Sequence, residues 1–243
     1  MHKSAPSFKL FLSFLSFFSN FAPVQSGVIL AIETSVETGS VALVSEEGVI
    51  MEREFHAGRK PSSTLWPALE EVMAEAESLS AVVVGTGPGS YNGARVGIAA
   101  GQGIALIQGC PTVGLCSFEG VALQSSSALA IGDARRGSFS TQTLADGRLK
   151  GEVSLLPIDE LQEAISHALT DGAEVFCFEE VSRFPLPDEI RAQVNRKQSQ
   201  AGNLALAYWR RSEEERAQLL EVPLQPNYLR DPHITVSKRR SLL

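Results

Sequence analysis

Four groups of residues in this 243-residue sequence have types and spacing that could do chemistry. The first is the loop Thr86-Gly87-Pro88-Gly89-Ser90. Its amides, with the N-terminus of a following helix, could face an anion, and Ser90 offers a hydroxyl that a base could activate. The loop lacks the Lys-Ser/Thr ending of a P-loop and the spacing of the dinucleotide fingerprint. Ser90 also stands outside a Gly-x-Ser-x-Gly elbow. The second group is Glu33 and Asp133, each following an apolar run in its own half of the chain. Two such acids could hold Mg²⁺ around a nucleotide, although an acid after a strand is commonly a turn residue or a helix cap. The third is Arg135-Arg136, which could pair with phosphate or carboxylate or simply be solvated. The fourth is the set of cysteines and histidines. Cys110, Cys116 and Cys177 are odd in number with apolar neighbours, which reads as reduced core thiols. No Cys-x-x-Cys occurs, and no two of His2, His56, His167 and His233 lie within helical reach, so a zinc site has no support.

The elements that must position these residues follow from periodicity. Residues 81–84 form an apolar run bounded by a glycine loop and read as a buried strand. Residues 92–108 have helical spacing, with Gly93, Gly97 and Gly101 on one face. Each interior glycine costs about 1 kcal/mol relative to Ala, so three need a reason. Close approach of another helix or a sheet is preferred here over an anion cradle. Upstream, residues 28–32, 41–44 and 49–55 read as a strand meander, followed by a helix from Thr64 to Leu79. Downstream, a strand at 111–115 leads to a short helix capped by Ser117. A small polar break at 125–127 marks the domain boundary. Strands at 128–131, 139–144, 149–155 and 175–178, a helix at 157–169 and a long helix at 203–220 complete the second half. Two α/β lobes with mixed sheets result. The expected division is an N-terminal extension at 1–26, an N-terminal lobe at 27–125, a C-terminal lobe at 126–222 and a tail at 223–243.

The net charge of −7 and pI of about 5.2 do not mark an obvious nucleic-acid binder. Residues 1–26 differ from the rest. Lys3 and Lys9 precede a short apolar stretch, and no acidic residue appears before Glu33. The segment has the form of a secretory signal, too short for a membrane span.

Several blocks together resemble a known family. They are Ile29 to Ser35, Gly39 to Leu43, Gly87 to Gly97, Gly103 to Leu106 and Asp133-Ala134-Arg135-Arg136-Gly137. These are similar to the TsaB (YeaZ) family, the non-catalytic subunit of the bacterial machinery that attaches threonylcarbamoyl to an adenosine beside the tRNA anticodon. Tyr228-Leu229-Arg230 also resembles the family's end. The resemblance implies an actin/Hsp70/sugar-kinase-like fold of two lobes, with a degenerate nucleotide site around Glu33, Thr34, Gly87, Pro88, Gly89, Ser90 and Asp133. It implies no catalytic residue, metal or cofactor in this chain. It implies a catalytic partner, TsaD, an ATPase, TsaE, a homodimer when the partner is absent, and tRNA only through the complex. It also implies a cytoplasmic protein with no membrane contact, which makes residues 1–26 a misassigned start rather than a leader. The expected interface is the helix pair carrying Leu65, Leu69, Met73, Gly93, Gly97 and Gly101.

The chain departs from the family in having Glu33 where Asp is usual, Pro61 or Ser62 where a His commonly precedes the first helix, and Tyr91-Asn92 in place of Phe-Thr. The partner's metal-binding His-x-x-x-His pair is absent. Two other readings stay open from the residues: a small-molecule kinase using Glu33 and Asp133, and an exported hydrolase using Ser90.

Overall fold

The computed structural model describes residues 27–57 and 61–227. The readings of the N-terminal extension and of Tyr228-Leu229-Arg230 lie outside the described residues. Two five-stranded mixed sheets share one plan. In the first, β1 (Ile29–Glu33) pairs antiparallel with β2 (Thr38–Ser45), and β2 with β3 (Gly48–His56). On its other side β1 pairs parallel with β4 (Ala81–Gly85), and β4 with β5 (Thr112–Leu115). The second sheet repeats that order with β6 (Ser127–Asp133), β7 (Phe139–Ala145), β8 (Arg148–Leu156), β9 (Glu174–Cys177) and β10 (Val194–Arg196). This duplicated meander-plus-crossover is the expected two-lobed actin/Hsp70/sugar-kinase-like architecture, and the second lobe begins at β6, beside the predicted boundary.

The central strands explain how the layers assemble. All five residues of β1 and all five of β4 are buried, as expected of parallel strands covered on both faces. One face presents Leu30, Ile32, Val82 and Val84 to α1 (Pro61–Met73) and α2 (Tyr91–Gln108). The other presents Ile29, Ala31, Ala81 and Val83 to α5 (Ala201–Trp209), which supplies Leu204, Ala205 and Tyr208. Both crossovers of the first lobe run the same way along the sheet. Right-handed connection therefore puts α1 and α2 on one side and leaves the other side for a later segment. This corrects the predicted division. Residues 201–221 fall in the span expected for the C-terminal lobe, yet they cover the first sheet. The second sheet is covered by α3 (Ile158–Thr170), through Leu161 and Ile165, with the short α4 (Asp188–Arg191) nearby.

Three element boundaries also differ from the sequence reading. The first helix ends at Met73, short of Leu79, and the Ser117 segment is a single 3₁₀ turn, Ser117–Gly120. The long helix at 203–220 is two helices, α5 and α6 (Glu213–Glu221). Ser212 restarts the chain with a capping box. Its hydroxyl accepts from Glu215 N–H at 3.2 Å, and the Glu215 carboxylate accepts from Ser212 N–H at 2.9 Å. After α6 the chain returns across the first lobe. Leu224 packs onto the α1–α2 side of the core, and Asn227 N–H donates to Thr86 O at 2.8 Å.

Candidate functional site

The glycine loop between β4 and α2 is tied to the β1–β2 turn. Ser90 N–H donates to Ser35 O at 2.6 Å, and Gly87 N–H donates to Ser117 Oγ at 3.0 Å. Ser90 Oγ caps α2 by accepting from Gly93 N–H at 3.2 Å. These amides are therefore spent on the protein rather than turned toward an anion. Among the described residues no hydrogen bond joins Ser90 to a histidine, and its hydroxyl acts as a cap. The loop's glycines are required by close approach. A Cβ on Gly89 would stand 2.2 Å from Ser35 O, and one on Gly85 2.2 Å from Glu33 Oε2.

Glu33 is fully buried beneath this loop and does not line the cleft. Its Oε1 accepts from Ser35 N–H and Ser35 Oγ, both at 2.7 Å. Ser35 Oγ therefore takes its own second bond from Ser117 Oγ at 2.9 Å, which in turn accepts from Gly87. This one-directional chain of donors knits β1, the loop and the interlobe turn together. Thr34 Oγ1 reaches the other way and donates to Gly93 O at 2.7 Å.

Between the lobes lies a cleft of about 560 Å³. One wall carries Ser35, Glu37, His56, Ser90 and Gly93, and the other Asp133, Arg135, Glu179 and Arg183. Asp133 is held within its own lobe. Its Oδ1 accepts from Arg135 N–H at 2.8 Å, and Arg135 pairs with it at 3.5 Å. Its own N–H donates to Glu179 at 3.3 Å. Burial, with Asp133 nearby, pushes the Glu179 carboxyl above its ordinary value. Glu179 was missed from the sequence, although it stands two residues beyond the buried strand β9, much as Glu33 and Asp133 close β1 and β6.

The arrangement does not suit a metal-bound nucleotide held in the manner of this fold. Glu33 points under the loop, the Gly87 and Ser90 amides are engaged, and among the described residues no group of three or more His, Cys, Asp or Glu could hold a metal ion. The cysteines match the reading of core thiols. Burial raises Cys110 to about 11, and Cys116 and Cys177 each to about 12. No helix among the described residues is long and apolar enough to cross a membrane.

The glycine face of α2 is turned inward. A Cβ would meet Thr34 O at 2.0 Å from Gly93, Thr34 Oγ1 at 2.3 Å from Gly97, and Val84 Cγ2 at 2.6 Å from Gly101. The close neighbour is the chain's own sheet. Leu65 and Leu69 are likewise core residues, and Met73 is half-buried against them. The predicted interface residues thus lie on the expected pair of helices, α1 and α2, but on the face that packs inside. The outward face carries other residues. Ala99 and Gly103 are exposed, and a Cβ on Gly103 would meet nothing within 4 Å. Leu106 is 62% and Ile107 85% exposed, and Trp66 on the neighbouring α1 is 54% exposed. The i, i+4 spacing that selected the inner stripe also links Ala99 with Gly103. Sequence alone does not say which stripe faces the sheet.

Comparison with known proteins bears on this geometry. The family model for TsaD, tRNA N6-adenosine threonylcarbamoyltransferase, matches residues 54–174. The tRNA threonylcarbamoyladenosine biosynthesis protein TsaB of Bacillus subtilis is 33% identical over 121 residues, covering 46% of this chain and 53% of that protein. The Escherichia coli protein of the same name is 32% identical over 94 residues, 37% of this chain and 40% of its own length. An uncharacterized protein of Mycobacterium bovis is 31% identical over 132 residues, 51% of this chain. The matched stretch spans 62% of that mycobacterial relative's length. Among solved structures, YeaZ from Pseudomonas aeruginosa superposes with a TM-score of 0.64 at 24% identity, over 84% of this chain and 100% of that one.

Proposed function

We propose that this chain, similar to TsaB and YeaZ proteins, serves tRNA threonylcarbamoyladenosine formation as a non-catalytic subunit that binds and orients a TsaD-like catalytic partner. The observation that carries this reading is the outward face of α1 and α2. Leu106 and Ile107 stand bare beside the small residues Ala99 and Gly103, with Trp66 on the adjoining helix. Small residues let a second helix approach the backbone, and bare aliphatic and aromatic side chains supply apolar area to bury. The TsaD family match covers both helices, so a TsaD-like partner carries comparable elements and can pack helix pair against helix pair. In this reading a second copy of the chain takes the same face when the partner is absent. The TsaE-like ATPase and the tRNA belong to the assembled complex, and the chain works in the cytoplasm.

The non-catalytic role is supported by the buried Glu33, the engaged Gly87 and Ser90 amides and the capping role of Ser90. The test is co-purification with the TsaD-like protein of the same host. Leu106→Asp and Ile107→Asp change exposed side chains and leave the core intact. Each is expected to weaken pairing tenfold or more, about 1.4 kcal/mol, and to lower threonylcarbamoyladenosine in tRNA. Wild-type pairing by both variants would remove the helix face from the mechanism.

A further inference from the structure

Arg216, on α6, is 6% exposed, yet among the described residues no carboxylate forms an ion pair with it. Its Nε is buried without a hydrogen-bond partner. The guanidinium carbon lies 5.0 Å from the Trp209 ring centroid and 5.8 Å from that of Tyr208. The two rings meet edge-on, with centroids 5.7 Å apart. Tyr208 is fully buried and its hydroxyl has no partner; Trp209 Nε1 is buried and has none either. Three side chains in mutual contact therefore hold three unpaired polar atoms.

Such atoms are costly. A buried donor left unpaired costs about 1–3 kcal/mol, more when it is charged, and native interiors seldom leave one without water or an ion. The aromatic contacts address the face of the guanidinium, but its Nε–H lies in its plane and remains unserved. The guanidinium and the indole can only donate, and the phenol can donate. What completes the cluster must bring lone pairs and, opposite a guanidinium, negative charge. Glu119 pairs with Arg211, and Glu215 is held by Arg148 and by Ser212 N–H.

We propose that Arg216, Trp209 Nε1 and the Tyr208 hydroxyl form a binding site for a small oxyanion, a single phosphate or carboxylate group. The site lies between α5 and α6, on the face of the first sheet opposite α1 and α2. It shares no residue with the cleft and does not depend on the proposed partner. The near-complete burial of Arg216 and Tyr208 limits the occupant to one such group.

The chain has two tryptophans, Trp66 and Trp209, so its indole N–H resonances are readily assigned with a Trp66→Phe variant. Titrating the full chain with inorganic phosphate, and separately with acetate, is expected to shift the Trp209 indole N–H along a saturable curve and to raise the melting temperature. Response to either anion, or to both, supports the site and tells which oxyanion geometry it takes. Arg216→Met keeps the apolar stem over the rings and is expected to weaken binding about tenfold or more. The wild-type titration stands even if that variant folds poorly. Three results overturn the proposal. One is an indole resonance unmoved by either anion to tens of millimolar, the outcome for an ordered water alone. Another is the same movement from chloride at matched ionic strength. The third is an undiminished response in folded Arg216→Met.

Discussion

Replacing the α2 glycines one at a time with alanine should separate the inner stripe from the outer ridge. In a helix interior, Gly→Ala gains about 1 kcal/mol from propensity where the new methyl has room. Gly103 has that room, since its Cβ would meet nothing within 4 Å. Gly103→Ala should therefore stabilise the chain by about 1 kcal/mol, raising its melting temperature by about 2–4 °C at this size. Gly101 is different. Its Cβ would lie 2.6 Å from Val84 Cγ2, on a fully buried side chain in the sheet centre. Overpacking of that kind costs about 1–3 kcal/mol, which outweighs the propensity gain. At Gly97 the new methyl stands 2.3 Å from Thr34 Oγ1. Relief there means turning Thr34 away from Gly93 O, the partner of its 2.7 Å bond, at about a further 1 kcal/mol. At Gly93 the obstacle is a backbone carbonyl, Thr34 O at 2.0 Å, which no rotamer change relieves. The expected order of stability is Gly103→Ala above wild type, then Gly101→Ala, Gly97→Ala and Gly93→Ala below it. Urea denaturation followed by circular dichroism measures this through the midpoints. If Gly97→Ala and Gly101→Ala proved as stable as Gly103→Ala, the stripe would not be packed on β1 and β4 and the orientation of α2 would be wrong.

Other consequences can be checked in the same way. Glu179 has its folded value raised by burial, so its protonated form is favoured in the native state. The stability this contributes is full below the unfolded value, near 4.5, and is lost as pH rises through the higher folded value. Glu179→Gln keeps an acceptor for Asp133 N–H and should raise the melting temperature at neutral pH but not at pH below that unfolded value; equal effects at both would show that ionisation is not involved. Arg211 and Glu119 form an ion pair with side chains 8% and 5% exposed. Breaking it as Arg211→Met should cost about 3–5 kcal/mol, and adding Glu119→Leu should restore much of that, as a double-mutant cycle by urea denaturation can establish. Leu224 is half-buried over Gly114, where a Cβ would stand 2.7 Å from its Cδ1. Leu224→Ala should cost about 1–2 kcal/mol, below the range for fully buried leucines, and hydrogen exchange should rise at Asn227 and Thr86 if this segment is anchored as described.

Much of the architecture was legible because it rests on local signals. The apolar runs at 29–32 and 81–84 read as buried strands, and β1 and β4 are buried throughout. The Asp146-Gly147 turn fixed the β7–β8 hairpin, and its residues have φ of 52° and 72°. The Gly-Pro-Gly-Ser loop announced a sharp turn into a helix, and the structure has both, with Ser90 as the cap. A capping box stood readable at Ser212 and Glu215 and went unused, because the charged string around it also fits an exposed helix face.

What the sequence could not decide was direction and company. Helical spacing names a stripe of small residues at 93, 97 and 101 without saying whether a sheet or a partner fills it. That depends on which face of α2 the right-handed crossover turns toward β1 and β4. Nor does spacing say that residues 201–221 leave the second lobe to cover the first, since that follows from an uncovered sheet face far away in the chain. The same distance hides the fate of Glu33, whose carboxylate is drawn under the loop by Ser35 and the vacancy at Gly85. Residue types determined which atoms could donate, accept or pack. Only the tertiary structure, by fixing which surfaces were already satisfied within the chain, decided which of them remain for anything else.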